Sequence, residues 1–210
     1  ARPRVPSSSL WKTLGIKITD RVDIASIERI DSIDQKSVIQ LDLNYQLEDK
    51  NMWNKYDLVT DFGNNEHPFN IMEAYRTMHR LTNLNGFLWI VQELYGGNGF
   101  YNLDRPFFEN IAVANDYSIF NASYIVQVSS YDSYLIPCEE NLLSMIDFGK
   151  VISIGITYIF RKNSLNDFVI PYQGSANQKT GELTNFFHSN ITVHDQSLLV
   201  RNYIPNSISD

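Results

Sequence analysis

In the run from Val38 to Leu47, Ile39, Leu41, Leu43, Tyr45 and Leu47 alternate without a miss against Gln40, Asp42, Asn44 and Gln46. A period of two predicts a half-buried strand there. The same period predicts a strand over 118–130, with Phe120, Ala122, Tyr124, Val126 and Val128 inward, and another over 151–160, with Ile152, Ile154, Ile156, Tyr158 and Phe160 inward. Between them the period changes. Pro68 suits the first turn of a helix, and Ile71, Tyr75, Met78 and Leu81 recur at three- and four-residue spacing. That predicts a helix over 67–85, closed by Asn85-Gly86, then a strand from Phe87 to Tyr95 and a turn at Gly96-Gly-Asn-Gly99. A shorter helix is predicted over 139–148, with acids at its start and Gly149 at its end.

The segments 48–66, 102–115 and 163–190 read as connections, with Arg105-Pro-Phe-Phe108 as a hydrophobic clip. Residues 20–34 read as a short strand or irregular lead-in, and 190–203 as one or two last short strands. The expected fold is α+β: a mainly antiparallel sheet of five or six strands, two inserted helices (67–85 and 139–148) and a flexible N-terminal arm. Residues 1–19 form the arm and 20–210 a single globular domain. Strands and helices do not alternate regularly, which disfavours a doubly wound nucleotide-binding fold.

Charge changes the picture by region. Residues 1–19 carry Arg2, Arg4, Lys12 and Lys17 with no acid, while 38–147 carry five basic against fifteen acidic residues. An acidic body is poorly suited to a phosphate backbone, which needs clustered cations. The arm, with Trp11 beside Lys12, is the candidate interaction element, and its partners are a neighbouring copy of the chain, a nucleoprotein–RNA complex or an anionic membrane surface. No apolar run is long enough to cross a bilayer.

Candidate chemistry is sparse. Cys138 is the only cysteine, so no internal disulfide forms, and the acids Glu139-Glu140 beside it do nothing to lower its pKa. The histidines at 67, 79, 188 and 194 show no metal-ligand spacing. His67 lies at the start of the first helix and His79 on its polar side. The glycine run 96–99 follows a strand as a phosphate loop would, but lacks the Gly-Lys-Ser/Thr ending and reads as a tight turn. The sequons at Asn121 and Asn190 lie in strand-like runs. No catalytic residue, cofactor or metal site is expected on this reading.

The order of elements, an arm, a long strand (Ser37 to Leu47), a helix from Pro68-Phe69, a strand directly after it and a later strand (Ile119 to Val128), resembles the layout of rhabdovirus matrix proteins. The Pro-Pro-x-Tyr motif is absent. The resemblance implies a non-enzymatic, self-assembling viral structural protein of the virion and host cytoplasm. Two other classes stay open: a β-rich capsid, carbohydrate- or ligand-binding domain using Tyr and Trp side chains, and a hydrolase built from distant Asp, Glu and His residues. A concave pocket around a histidine is what the hydrolase requires.

Overall fold

A computed structural model describes residues 38–172, together with 20–23 and Thr13, Gly15 and Ile16. The chain divides into two compact units, Ala1–Asp42 and Leu43–Asp210. In the first, β1 (Arg21–Asp23) and β2 (Val38–Gln40) pair in parallel, Val22 opposite Ile39. The long strand expected over 38–47 stops at Gln40, because the chain turns at Leu43 and Asn44. Asn44 is then used as a bracket for the first helix: its side-chain oxygen accepts from the Asn70 backbone N–H at 3.0 Å and its carbonyl from the Asn70 amide at 3.1 Å.

The second unit holds a five-stranded sheet of order β3-β4-β7-β5-β6. Its strands are β3 (Tyr56–Phe62), β4 (Thr82–Tyr95), β5 (Tyr117–Gln127), β6 (Ser133–Pro137) and β7 (Ser153–Lys162). All neighbours are antiparallel except β3 and β4. Three helices, α1 (Ile71–Leu81), α2 (Arg105–Ala114) and α3 (Glu140–Ser144), complete an α+β fold. β3, α1 and β4 form a βαβ unit, since parallel neighbours need a crossover and α1 supplies it.

Several boundaries differ from the sequence expectation for identifiable reasons. The first helix spans 71–81 rather than 67–85, and β4 begins at Thr82 at once. Lys162 ends the helix: its buried ammonium donates to the carbonyls of His79 (2.8 Å) and Thr82 (2.9 Å) and to Asn54 Oδ1 (2.9 Å), which satisfies the carbonyls a helix C-terminus leaves open. Burial pulls the Lys162 pKa down to about 8, against the opposing pull of Asp167. Asn85, not Gly86, holds the positive φ, at 63°. Gly86 is needed for closeness, since a Cβ there would lie 3.1 Å from the Asp57 carbonyl.

β3 arises inside the expected 48–66 connection, and α2 replaces the expected clip at 105–108. α2 has an ordinary start: Asp104 accepts from the Phe107 N–H at 3.1 Å and Pro106 occupies its first turn. The second expected helix shortens to 140–144, followed by a 3₁₀ turn at Phe148–Lys150.

The core lies between the helices and one sheet face, where Leu88, Ile90, Tyr124, Ile156, Tyr158 and Phe160 meet Tyr75, Met78, Phe108 and Ile111. Phe108 stacks on Tyr158 with ring centroids 4.8 Å apart, a pairing that contributes about 1 kcal/mol beyond area burial. Phe120 and Ile152, expected inward, are 64% and 53% exposed. For Phe120 the cause is a register shift between Ile119 and Asn121, which turns the extra residue outward.

Candidate functional site

Parallel β3 and β4 end side by side, and the crevice beyond the carboxyl ends of parallel strands is where ligands commonly bind in open sheets of this type. An open cleft of about 480 Å³ lies there. Phe62, Val91, Gln92 and Glu93 come from the strands, Gly63, Glu66 and His67 from the loop that leads to α1, and Gly96, Gly97 and Asn98 from the turn after β4.

Two carboxylates converge on it. Glu66, only 2% exposed, accepts the backbone N–H of Glu93 at 2.9 Å through Oε2, while its Oε1 lies 3.8 Å from His67 Nε2. Burial, reinforced by the charge of Glu66, pushes the Glu93 pKa up, and Glu93 Oε2 is buried without a hydrogen-bond partner. Two carboxylates share one site whose lining holds a half-exposed histidine and no lysine or arginine.

The glycines of the turn make this approach sterically feasible. A Cβ on Gly97 would lie 2.6 Å from Glu93 Cβ, and one on Gly99 would lie 2.6 Å from Glu66 Cγ. Gly96 adopts φ +83°, with the Ile152 carbonyl 2.7 Å from where a Cβ would stand. The run at 96–99 is therefore a turn, as expected, but one that rests on two acids. Such a site repels phosphate.

Behind the cleft, on the core face, Asp61 accepts the Asn64 N–H at 3.0 Å and the side-chain amide of Gln92. Burial raises the Asp61 pKa to about 6, partly offset by the backbone bonds of Asn64 and Asn65. Gln92 is fully buried, and its Oε1 has no partner, nor has the Tyr75 hydroxyl nearby in the same polar cluster. Buried polar atoms of this kind normally find a partner, so an unpartnered oxygen beside a cleft marks a place where a donor would be stabilised.

The residues singled out in the sequence fall elsewhere. Arg2, Arg4, Trp11, Lys12 and Lys17 lie outside the described residues, as do His188 and His194. His79 is not on a polar face: it is 3% exposed, with Nδ1 2.6 Å from the Tyr117 hydroxyl and Nε2 2.8 Å from the Asn166 carbonyl, because the segment after β7 folds back over α1. Burial and then Lys162 lower its pKa to about 4. Cys138 is buried, and burial raises its pKa to about 11. Among the described residues no group of His, Cys, Asp or Glu side chains is placed to hold a metal ion, and no helix is long and apolar enough to cross a membrane.

No protein-family model matches the chain, and no curated protein does. Among solved structures it is similar to the crystal structure of MccD protein, at 12% identity over 74% of each chain and a TM-score of 0.34. The expectation of a matrix-like viral structural protein is corrected here. The comparisons give a viral structural role no support, and the strand Ser37 to Leu47, on which that resemblance leaned, is a strand only over Val38–Gln40. A likeness at that TM-score transfers no activity to this chain.

Proposed function

We propose that this chain binds a small cationic ligand, an ammonium or guanidinium compound, in the acidic cleft at the ends of β3 and β4. The observation that carries the reading is the pairing of Glu66 and Glu93 around an open cleft with an unpartnered carboxylate oxygen and no lysine or arginine in the lining. A cation offsets the burial and the Glu66 charge that together raise the Glu93 pKa, and gives the unpartnered Glu93 Oε2 a charge-assisted hydrogen bond. Phe62, 47% exposed at the rim and edge-on to Trp89 at 5.1 Å, offers an aromatic face to the same cation.

Calorimetric titration with agmatine, which carries an ammonium and a guanidinium, tests this. Saturable one-site binding is expected, weakening as salt rises, with Glu93→Gln binding at least ~10-fold more weakly, the effect of losing roughly 1.4 kcal/mol. Absence of saturable heat, or equal binding by Glu93→Gln, contradicts it.

The cleft also carries a second reading. Its lining includes His67, and a concave site at a histidine is the condition set for a hydrolase. On that reading His67→Ala abolishes turnover of a cationic substrate while leaving its binding intact, and unchanged turnover would dismiss the role.

A further inference from the structure

We infer that the ligand of the acidic cleft is an amphipathic amine, an ammonium joined by a short alkyl chain to an aromatic or other apolar group, and that Phe69 and Phe100 receive the apolar end. The inference rests on the cationic reading of the cleft. The two loops that frame the cleft each carry a phenylalanine just beyond its lining, Phe69 after His67 and Phe100 after the glycine turn. Phe69 is 77% and Phe100 72% exposed, and their rings meet edge-on with centroids 6.1 Å apart. Their backbone, by contrast, is fixed. The Phe100 N–H donates to the Glu66 carbonyl at 2.8 Å, and the Tyr101 hydroxyl donates to the Phe69 carbonyl at 2.6 Å. A single exposed apolar side chain is ordinary on a protein surface, whereas two in contact on pinned loops form a water-facing patch with a fixed base.

Two features select a small amphipathic amine as its occupant. The first is position. Glu66 joins the patch to the acids, since its carbonyl holds Phe100 while its Oε2 accepts the backbone N–H of Glu93, the residue whose own Oε2 is unpartnered. A glutamate's carbonyl and carboxylate lie on the order of 6 Å apart, so a chain of about four carbons reaches from an ammonium at the acids to a ring at the patch. The second feature is size. Two phenylalanine rings of about 200 Å² each, roughly three-quarters exposed, offer about 300 Å², well short of the ~800 Å² per partner of a stable protein interface and matched to one aromatic group. Small-molecule sites commonly combine apolar walls with a few placed polar groups that fix orientation. Here the acids hold the cation and the rings sort amines by what the cation carries, so a bare alkylamine uses only half of the site.

Calorimetric titration of the full chain with butylamine and with phenylbutylamine, whose ring and ammonium stand at opposite ends of a butyl chain, tests this, with agmatine titrated alongside. Phenylbutylamine should bind at least ~10-fold more tightly than butylamine. Phe69→Ala and Phe100→Ala truncate exposed side chains and leave the backbone bonds in place, and each should cut that ratio to about 3-fold or less. Leu135→Ala, at an exposed position on β6 along the far edge of the sheet, should keep the ratio of the parent chain. Saturable agmatine binding with equal affinity for the two monoamines overturns this inference and leaves the cationic reading standing, as does a ratio undiminished in both phenylalanine variants. Absence of saturable agmatine binding removes the cationic reading and this inference with it.

Discussion

Gln92 donates its side-chain amide to the buried carboxylate of Asp61, so the parallel strands β3 and β4 are tied by side chains as well as by their ladder. The bond leaves Gln92 Oε1 without a partner and Asp61 in a setting that disfavours its charge. A polar pair of this kind, directly behind the cleft, links the stability of the fold to the protonation state of the site.

That link gives a pH signature, because Asp61 and His79 act in opposite directions over the same range. Asp61 has a folded pKa of about 6 against an ordinary 3.8, so its contribution is present below pH 3.8 and lost as pH rises through 6. His79 has a folded pKa of about 4 against 6.5, so its contribution is present above pH 6.5 and lost as pH falls through 4. Each shift is worth on the order of 3 kcal/mol, and between pH 4 and 6 the two slopes largely cancel. Urea unfolding of Asp61→Asn should therefore show stability rising with pH across that interval, with a gain over the parent chain at pH 8. The asparagine keeps an acceptor for the Asn64 N–H but gives up the oxygen that accepts from the Asn65 N–H and the Gln92 amide, which reduces that gain. His79→Gln should show stability falling with pH across the same interval. Parallel pH profiles for parent and both variants would contradict this account.

Lys162→Met should be among the most damaging single changes. It removes a donor from the carbonyls of His79 and Thr82 and from Asn54 Oδ1 at the end of α1, all in a buried setting. The expected cost is about 2–4 kcal/mol. Thermal unfolding should show a loss of roughly 5–15 °C. A loss under a few degrees would mean that the helix end is held by the backbone bonds of Asn54 and Lys55 to Arg80 and Leu81 instead.

How much of this was legible in the sequence follows from what each element depends on. β4 and β7 were readable because Leu88 and Ile90, and Ile154 through Phe160, alternate against a single buried face. β3 was not, because an edge strand with Asp57, Thr60 and Asp61 has only one neighbour and no clean alternation. α2 carried a readable start in Asp104 and Pro106, but Phe107-Phe108 drew attention to packing instead of periodicity. The glycine turn was recognisable, whereas its purpose was not. Glu66 and Glu93 stand 27 residues apart and meet only because β3 and β4 run in parallel, a register set by tertiary packing that no local pattern encodes.

The turn supplies a test that separates the shape of the cleft from its charge. Gly97 has no positive φ, so a side chain there strains no backbone dihedral, yet its Cβ would collide with Glu93. Gly97→Val should weaken agmatine binding at least ~10-fold, through displacement of Glu93, with melting temperature changed by only about 2–4 °C. Calorimetry and thermal unfolding on the same sample check both halves. A large fall in melting temperature with binding preserved would place the importance of Gly97 in folding and not in the cleft.

The most direct measurement of the cationic cleft is an amide NMR titration of the full chain with agmatine. The account predicts saturable shifts concentrated at Gly63, Glu66, Glu93 and Gly96 to Asn98, lost in Glu93→Gln. Shifts scattered over the acidic surface and growing linearly with concentration, or none at all, would contradict it.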